Sequence, residues 1–329
     1  MTMNAHLAAV KGAERTGREL QAMFGRLGTA EHPRGRVLNA YRNARRWVQD
    51  AFGRESWLLQ AEVGEVLGEL QRVVQRVAVE MLVEAYDLGA AQGRAALEAR
   101  GLEALGGVRS RDLGAAQAAW MGLVDQQVAA VRAVTLAGGE VELIIGDETR
   151  GGILQPGPVV REGARWLTTA ATWGWLGEVE AQEQGFEWYK QACAAIDERT
   201  TDCCLRVHGQ AVPLQKKFKL TGEPRYADRL AWSPFHWYCR TSVALVTADE
   251  VEDDLTERLL AAAAAELARR EAIQRQIADV KARLVALGAA PDVRHRAGDS
   301  ERVTVLRDEL RWLKEELVRE QHPSSGVGG

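Results

Sequence analysis

Between Trp57 and about Leu97 the apolar residues of this chain return every three or four positions: Leu59, Val63, Val66, Leu70, Val73, Val77 and Met81. A strand alternates its side chains every second residue, so only a helix gathers that series on one face. A second series, Trp120, Leu123, Val124, Val128 and Val131, lies in a segment from about Arg111 to Leu136, and Gly106-Gly107 separates the two. Long amphipathic helices joined by a glycine-containing link pack on each other. Towards the C-terminus the spacing tightens into two coiled-coil seams: Ile273, Ile277, Val280, Leu284 and Leu287, then Val303, Leu306, Leu310, Leu313 and Leu317. Gly288, Pro291 and Gly298 fall between them, so the seams are expected to close on each other as an antiparallel hairpin, the alternative being that each binds a partner helix. Ala, Leu, Glu, Arg and Gln are abundant and only 8 of 329 residues are proline. The expected fold class is mainly α with a small α+β domain: long amphipathic helices, a compact motif domain containing Cys and His, and a C-terminal helical hairpin.

The remaining segments are less regular. A first helix is expected from Leu7 to Leu27, followed by His32, Pro33 and a basic cluster of Arg34, Arg36, Arg42, Arg45 and Arg46. A solvated helix face explains that cluster; contact with phosphates or a partner is the sharper alternative. At Gly138 the tone changes: V-E-L-I-I, then G-D-E-T-R-G-G, then I-L predicts a short hairpin, and Pro156 and Pro158 a linker. A helical stretch from Glu162 to Ile196 carries Trp166, Trp173, Trp175 and Trp188, and T-S-V-A-L-V after Arg240 predicts a strand. Thr247-Ala248-Asp249-Glu250 is a capping box that opens a long helix. The domains are therefore expected at 1–137 (helical), 138–159 (hairpin and linker), 160–248 (motif domain), 249–322 (helical hairpin) and 323–329, a glycine-rich tail too polar to fold.

Charge and hydropathy exclude some classes. A net charge of −4 makes no global electrostatic case for nucleic acid. No apolar run approaches the ~18 residues of a membrane span. The N-terminus, M-T-M-N-A-H-L-A-A-V-K-G, lacks the apolar core of a secretion signal. The expectation is a reducing compartment, where disulfides are disfavoured.

Chemistry-bearing residues concentrate between Asp197 and Val243: D-E-R-T-T-D-C-C-L-R-V-H-G-Q-A-V-P-L, a polar and aromatic spacer, then P-F-H-W-Y-C-R-T-S. Three of the four cysteines lie here, Cys203, Cys204 and Cys239, with His208 and His236. Cys204 and His208 in one cluster, His236 and Cys239 in the other, are the ligand types of a tetrahedral zinc site. Cys203 competes with Cys204 for that role. Buried reduced thiols, a Cys204–Cys239 disulfide, or His208 as a plain turn residue account for the same pattern.

The segment also resembles the phage head morphogenesis domain of the Mu F-like minor capsid family. The likeness runs through Asp197, Arg199, Thr200, Cys204, Gly209, Pro213, His236, Cys239 and Arg240, with Pro234 in the second half. It covers about 50 residues strongly and about 90 with the helical lead-in from Gly163. Two positions depart from the family's pattern: Thr201 stands where many members have cysteine, and His208 where aspartate is common. The resemblance implies a structural virion protein rather than an enzyme. It implies portal and other capsid components as partners, through which the chain associates into oligomers, and a place in the head interior or portal region after assembly in the host cytoplasm.

Two other classes use the same residues. Cys204, His236 and Asp197 supply a nucleophile, a base and an orienting acid for a thiol- or zinc-dependent hydrolase. No phosphate loop, H-E-x-x-H or deaminase signature accompanies them. A zinc-braced nucleic-acid module would use Lys216, Lys217, Lys219, Arg225 and Arg229 for phosphates, with Phe218, Tyr226 and Trp232 as stacking platforms, and packaged DNA is its natural partner in a phage head. Asp197, Arg199 and Arg240 are expected to form an ion-pair network tying the two halves of the motif together.

Overall fold

A computed structural model describes residues 2–28, 35–52, 56–104, 113–146, 151–180, 187–197, 200–219, 229–291 and 300–319. Six helices come first: α1 (Thr2–Leu27), α2 (Arg36–Phe52), α3 (Ser56–Glu98), α4 (Leu113–Leu136), α5 (Val141–Ile145) and α6 (Pro156–Glu180). A small α+β unit follows: β1 (Trp188–Cys193), α7 (Asp202–Val207), β2 (Ala211–Pro213), β3 (Phe218–Lys219), β4 (Arg229–Leu230), β5 (Ser242–Thr247) and α8 (Ala248–Val251). Two helices close the chain, α9 (Asp254–Ala286) and α10 (Glu301–Arg319). The molecule is mainly helical, and its described strands form a three-stranded antiparallel sheet and a two-stranded one, β3 with β4. No helix among the described residues is long and apolar enough to cross a membrane.

The predicted stripe on α3 buries Val63, Leu70, Val77 and Met81 and draws in Leu67 and Val74. It packs on α6 along a crossing where the backbones nearly touch. A methyl group added at Gly89 would overlap the Ala171 carbonyl, and one at Gly174 the Tyr86 carbonyl. Glycine on both helices permits that approach. The first half of α6 belongs to one core with α2, α3 and α4; its second half, through Trp175, Leu176 and Val179, belongs to another with the sheet. Helix α6 is thus the shared beam between the helical part and the motif.

Two segments differ from expectation. The run V-E-L-I-I is the short helix α5, with Ile144 fully buried, and Gly146 and Gly151 form only an isolated bridge. One anchored side chain outweighed strand propensity here. Pro156 and Pro158, expected as linker, open α6, because proline is pre-shaped for the first helical turn and has no amide to leave unpaired there. The expected helix from Glu162 to Ile196 ends at Glu180, and Trp188 is the first residue of β1. Strand β1 lies between β2 and β5 in the order β2-β1-β5, paired with β5 from Trp188–Thr247 to Cys193–Ser242. It is buried on both faces, so its sequence W-Y-K-Q-A-C lacks the alternation that marks a half-exposed strand.

The expected strand after Arg240 is β5. The Thr247–Glu250 capping box is present, but it starts only the four-residue α8; α9 begins afresh with the Asp253 side chain accepting from the Thr256 N–H. Helix α10 packs back on α9 through Ile273, Val280, Leu284, Val303, Leu306, Leu310 and Leu313. The two seams close on each other within one chain.

Candidate metal centre

Three segments meet beneath the sheet. The loop after β1 runs through Asp197 into α7, which presents Cys203 and Cys204 in its first turn. The loop before β5 carries Phe235 to Arg240, with a cis peptide between Ser233 and Pro234. Its direction reverses at Tyr238, a left-handed residue with φ 57°, so His236 and Cys239 face the same side. Helix α9 closes the arrangement from outside.

Cys203, Cys204 and His236 form a group whose ligand atoms all lie within 4.8 Å of one another, a group that can hold a metal ion. Cys204 Sγ is 2.9 Å from His236 Nε2 and 3.8 Å from Cys239 Sγ. His236 Nδ1 is bonded to the Trp237 carbonyl, which can only accept. That contact fixes a hydrogen on Nδ1 and turns Nε2 toward the thiols, so a metal that displaces the Nε2 proton would meet the presentation of a metal-ligating histidine. All four cysteines are free and buried.

Proton affinities are unequal across the cluster. Burial opposes a charge on His236, but the Cys239 and Cys203 thiolates and the Trp237 carbonyl outweigh it and push its pKa up to about 9. A hydrogen bond from Cys204 draws Cys203 down to about 6. Burial raises Cys239, yet Cys204 and His236 together hold it well below an ordinary thiol, and burial pushes Cys204 well above one. Cys203 and Cys239 are thus held toward the thiolate, the form in which cysteine binds metal, while Cys204 keeps its proton more tightly than an ordinary thiol.

His208, expected as a fourth ligand, is not in the group. It follows α7 and turns back under β1, where its Nδ1 accepts from the Ala194 N–H at 2.9 Å. Burial lowers its pKa to about 4. A ring whose Nδ1 lone pair is occupied by an amide carries its hydrogen on Nε2 and has no lone pair to offer. Cys203, adjacent in sequence to Cys204, stands in the group instead. The Thr201 hydroxyl, at the position where the resembled family often has cysteine, lies 3.0 Å from Cys203 Sγ.

Asp197, Thr200 and Arg240 converge on the turn ahead of α7. The Arg240 Nη1 donates to Asp197 Oδ2 at 2.6 Å and Nη2 donates to Oδ1, a two-point fork. The Asp197 N–H donates to Thr200 Oγ1 at 3.0 Å, and the Thr200 hydroxyl donates to the Ala195 carbonyl. Gly209 has φ 80° and donates to the Ala192 carbonyl, and Pro213 ends the edge strand β2. Pro234 enters through its cis bond ahead of Phe235 and His236. Arg199 lies outside the described residues. The Asp197 carboxylate holds Arg240, while the His236 ring nitrogens face the Trp237 carbonyl and Cys204 Sγ. The cavity beside Cys204 and His236, about 10 Å³ and also lined by Thr200, Arg240 and Thr241, has room for about one water.

The basic residues considered for nucleic acid divide. Lys216, Lys217 and Lys219 are exposed around β3; Arg225 and Tyr226 lie outside the described residues. Phe218, expected as a stacking platform, is fully buried against Phe235, and Trp232 lies under the Lys190 ammonium. Phe218 is spent inside the fold, and Trp232 is partly buried against Trp175.

Several residues that organise the site carry no motif. Arg270 on α9 donates to the carbonyls of Thr200 at 2.6 Å and Asp197 at 3.0 Å and to Asp202 Oδ1 at 3.2 Å. Thr168 on α6 donates to the Cys239 carbonyl at 2.8 Å. His6 on α1 contacts Asp253 Oδ2 at 2.7 Å and Gln191 Oε1 at 2.8 Å. The only sequence signal for Arg270 was an arginine next to a coiled-coil seam; for Thr168 and His6 there was none.

No protein-family model, no curated protein and no solved structure matches the chain.

Proposed function

We propose that this chain is a structural minor head protein of a tailed phage, of the Mu F-like type, docking at or near the portal. It would serve head assembly, genome packaging or DNA ejection from a place in the head interior or portal region. The observation that carries the reading is how the motif residues are used. Asp197, Thr200, Gly209, Cys204, His236, Cys239 and Arg240 brace two loops, and among the described residues the cavity that Cys204, His236 and Arg240 line is water-sized. A fold that spends its distinctive residues on holding its own loops suits a docking module better than a catalyst.

The metal in this reading is zinc, held by the Cys203, Cys204 and His236 group, with Cys239, outside that group but 3.8 Å from Cys204, as the fourth ligand. The donor set fits: three soft thiols and one imidazole with its second nitrogen on a carbonyl. The Cys204–Cys239 sulfur separation of 3.8 Å also fits. Two sulfurs each bonded to one tetrahedral zinc at ~2.3 Å lie about 3.8 Å apart, whereas a disulfide needs ~2.05 Å. The zinc would supply no chemistry beyond cross-linking α7 to the 235–240 loop.

Two measurements test the proposal. Elemental analysis of protein purified without chelator is expected to find about one zinc per chain. Co-expression with the portal protein of the same phage is expected to co-purify the two, and purified particles should contain the chain. Absence from particles together with no portal binding would sink the virion reading. The exposed Lys216, Lys217 and Lys219 support a second reading, contact with packaged DNA. Affinity for DNA that falls steeply with salt would favour it.

A further inference from the structure

Lys190 is the most unusual charged residue in the molecule. It sits in the middle of β1, the central strand, with its side chain fully buried. Its Nζ donates to the Leu214 carbonyl at 2.8 Å and the Ala231 carbonyl at 2.6 Å. It lies 3.5 Å from the centroid of the Trp232 ring and 5.3 Å from that of Phe218. Among the described residues no carboxylate pairs with it. Among the described residues carbonyl dipoles and ring faces compensate it, and burial draws its pKa down to about 8. A buried ammonium without an anion is costly, and an apolar residue would fill the same space at lower cost.

Two features make sense of that cost. The first is mechanical. Ala231 and Trp232 open the loop that continues through Ser233, Pro234 and Phe235 to His236 and Cys239. Lys190 grips the start of that loop from the sheet, as Thr168 grips its end at Cys239. The second is electrostatic. Zinc bound by three thiolates and a neutral imidazole carries one net negative charge inside the same apolar core that holds Trp188, Phe218, Phe235 and the cysteines. The chain of rings from Trp232 and Phe218, through Phe218 stacked edge-on to Phe235 at 5.8 Å, leads from the ammonium to the residue before His236. Low-dielectric surroundings weaken screening between the two charges.

We propose that Lys190 is the positioning residue of the metal centre: it anchors the His236–Cys239 loop by its opening carbonyl and supplies the buried positive charge that an anionic thiolate centre requires. This inference rests on the zinc reading above. It assigns no direct contact between Lys190 and the metal.

The test compares zinc affinity, by chelator competition, in the full-length wild type, Lys190→Met and Lys190→Arg. Thermal unfolding is measured with zinc bound and after EDTA. Lys190→Met is expected to weaken zinc binding about tenfold or more, with Lys190→Arg retaining most of the affinity. The loss of melting temperature in Lys190→Met is expected to be larger in the zinc-bound than in the stripped protein. A merely structural lysine would lower both melting temperatures alike and leave zinc affinity unchanged, which overturns the proposal. Cobalt substituted for zinc gives a second readout, since a displaced His236 alters its visible absorption bands. If Lys190→Met does not fold, Trp232→Leu removes the ring beneath the ammonium. Unchanged zinc affinity in that variant counts against the proposal, and a severalfold loss supports it. A zinc-free wild type sinks the metal reading itself, before any variant is compared.

Discussion

Asp197 and Arg240, forty-three positions apart, meet in a two-point fork in which the arginine is buried and the aspartate half-exposed. That asymmetry sets the outcome of cutting either partner. Removing the carboxylate strands a buried guanidinium, whereas removing the guanidinium leaves a carboxylate that water can reach. Asp197→Asn is therefore expected to cost about 2–3 kcal/mol of unfolding free energy, reduced from the fully buried case by solvent at the aspartate. Arg240→Gln is expected to cost less. Urea unfolding of both variants checks the order; a larger loss for Arg240→Gln would mean that packing around the arginine, not its charge, is what matters.

The α3–α6 crossing predicts opposite signs for two glycine substitutions on one helix. Gly89→Ala would push a methyl into the Ala171 carbonyl, and backbone must move to admit it. The expected cost is about 2–3 kcal/mol, typical of overpacking. Gly64→Ala meets nothing within 4 Å, and alanine is the better helix former. It is expected to stabilise by about 0.5–1 kcal/mol. Melting curves showing both variants shifted the same way would contradict the packing of α3 on α6.

These particulars mark how far sequence reaches. The long helices and the closing hairpin were legible because Val63 to Met81 and Ile273 to Leu317 repeat a period that only one geometry satisfies. The pairing of the two motif halves was legible from Asp197, Cys204, His236 and Cys239 as residue types. Strand β1 was not, because both its faces are covered and its buried Lys190 and Gln191 carry no apolar signal. His208 and Cys203 could not be ranked as ligands from spacing alone. The decision depends on which ring nitrogen an amide from β1 occupies, a tertiary fact.

His208 gives a pH prediction. Burial holds its pKa at about 4 against an ordinary value of 6.5, so the unfolded chain takes up the proton first. The stability it contributes is fully present above pH 6.5 and is lost as pH falls from 6.5 towards 4. The gap corresponds to about 3 kcal/mol at its lower end. In EDTA, which removes any contribution of metal, wild type minus His208→Gln should show this slope between pH 6.5 and 4 and a flat difference above it. A flat difference throughout would mean that His208 is hydrated in the folded protein.

Arg270 and Arg283 share helix α9 and predict a contrast about what the C-terminal helices do for the motif. Arg283 pairs with Asp279 and Glu309 at 3.7 and 3.6 Å on the solvent side of the hairpin, with its side chain about half exposed. Such pairs contribute about 0–1 kcal/mol, so Arg283→Ala should leave stability nearly unchanged. Arg270 is buried and donates to two carbonyls of the turn that leads into Cys203, with Glu266 holding its Nε at 2.7 Å. Charge-assisted bonds to buried carbonyls have no replacement when the donor goes, and Arg270→Ala is expected to cost about 2–4 kcal/mol. It should also loosen the first turn of α7, so in metal-free protein Cys203 and Cys204 should react faster with a disulfide reagent such as DTNB, while Arg283→Ala leaves the rate unchanged. The same contact separates two truncations. Removing residues 300–329 takes away only α10 and uncovers the seam on α9, which is expected to promote self-association. Cutting after Val246 also removes Arg270 and should unlock the Cys203–Cys204 turn. If the cut after Val246 leaves thiol reactivity unchanged, α9 is a bystander to the motif and the brace from Arg270 does not exist in solution.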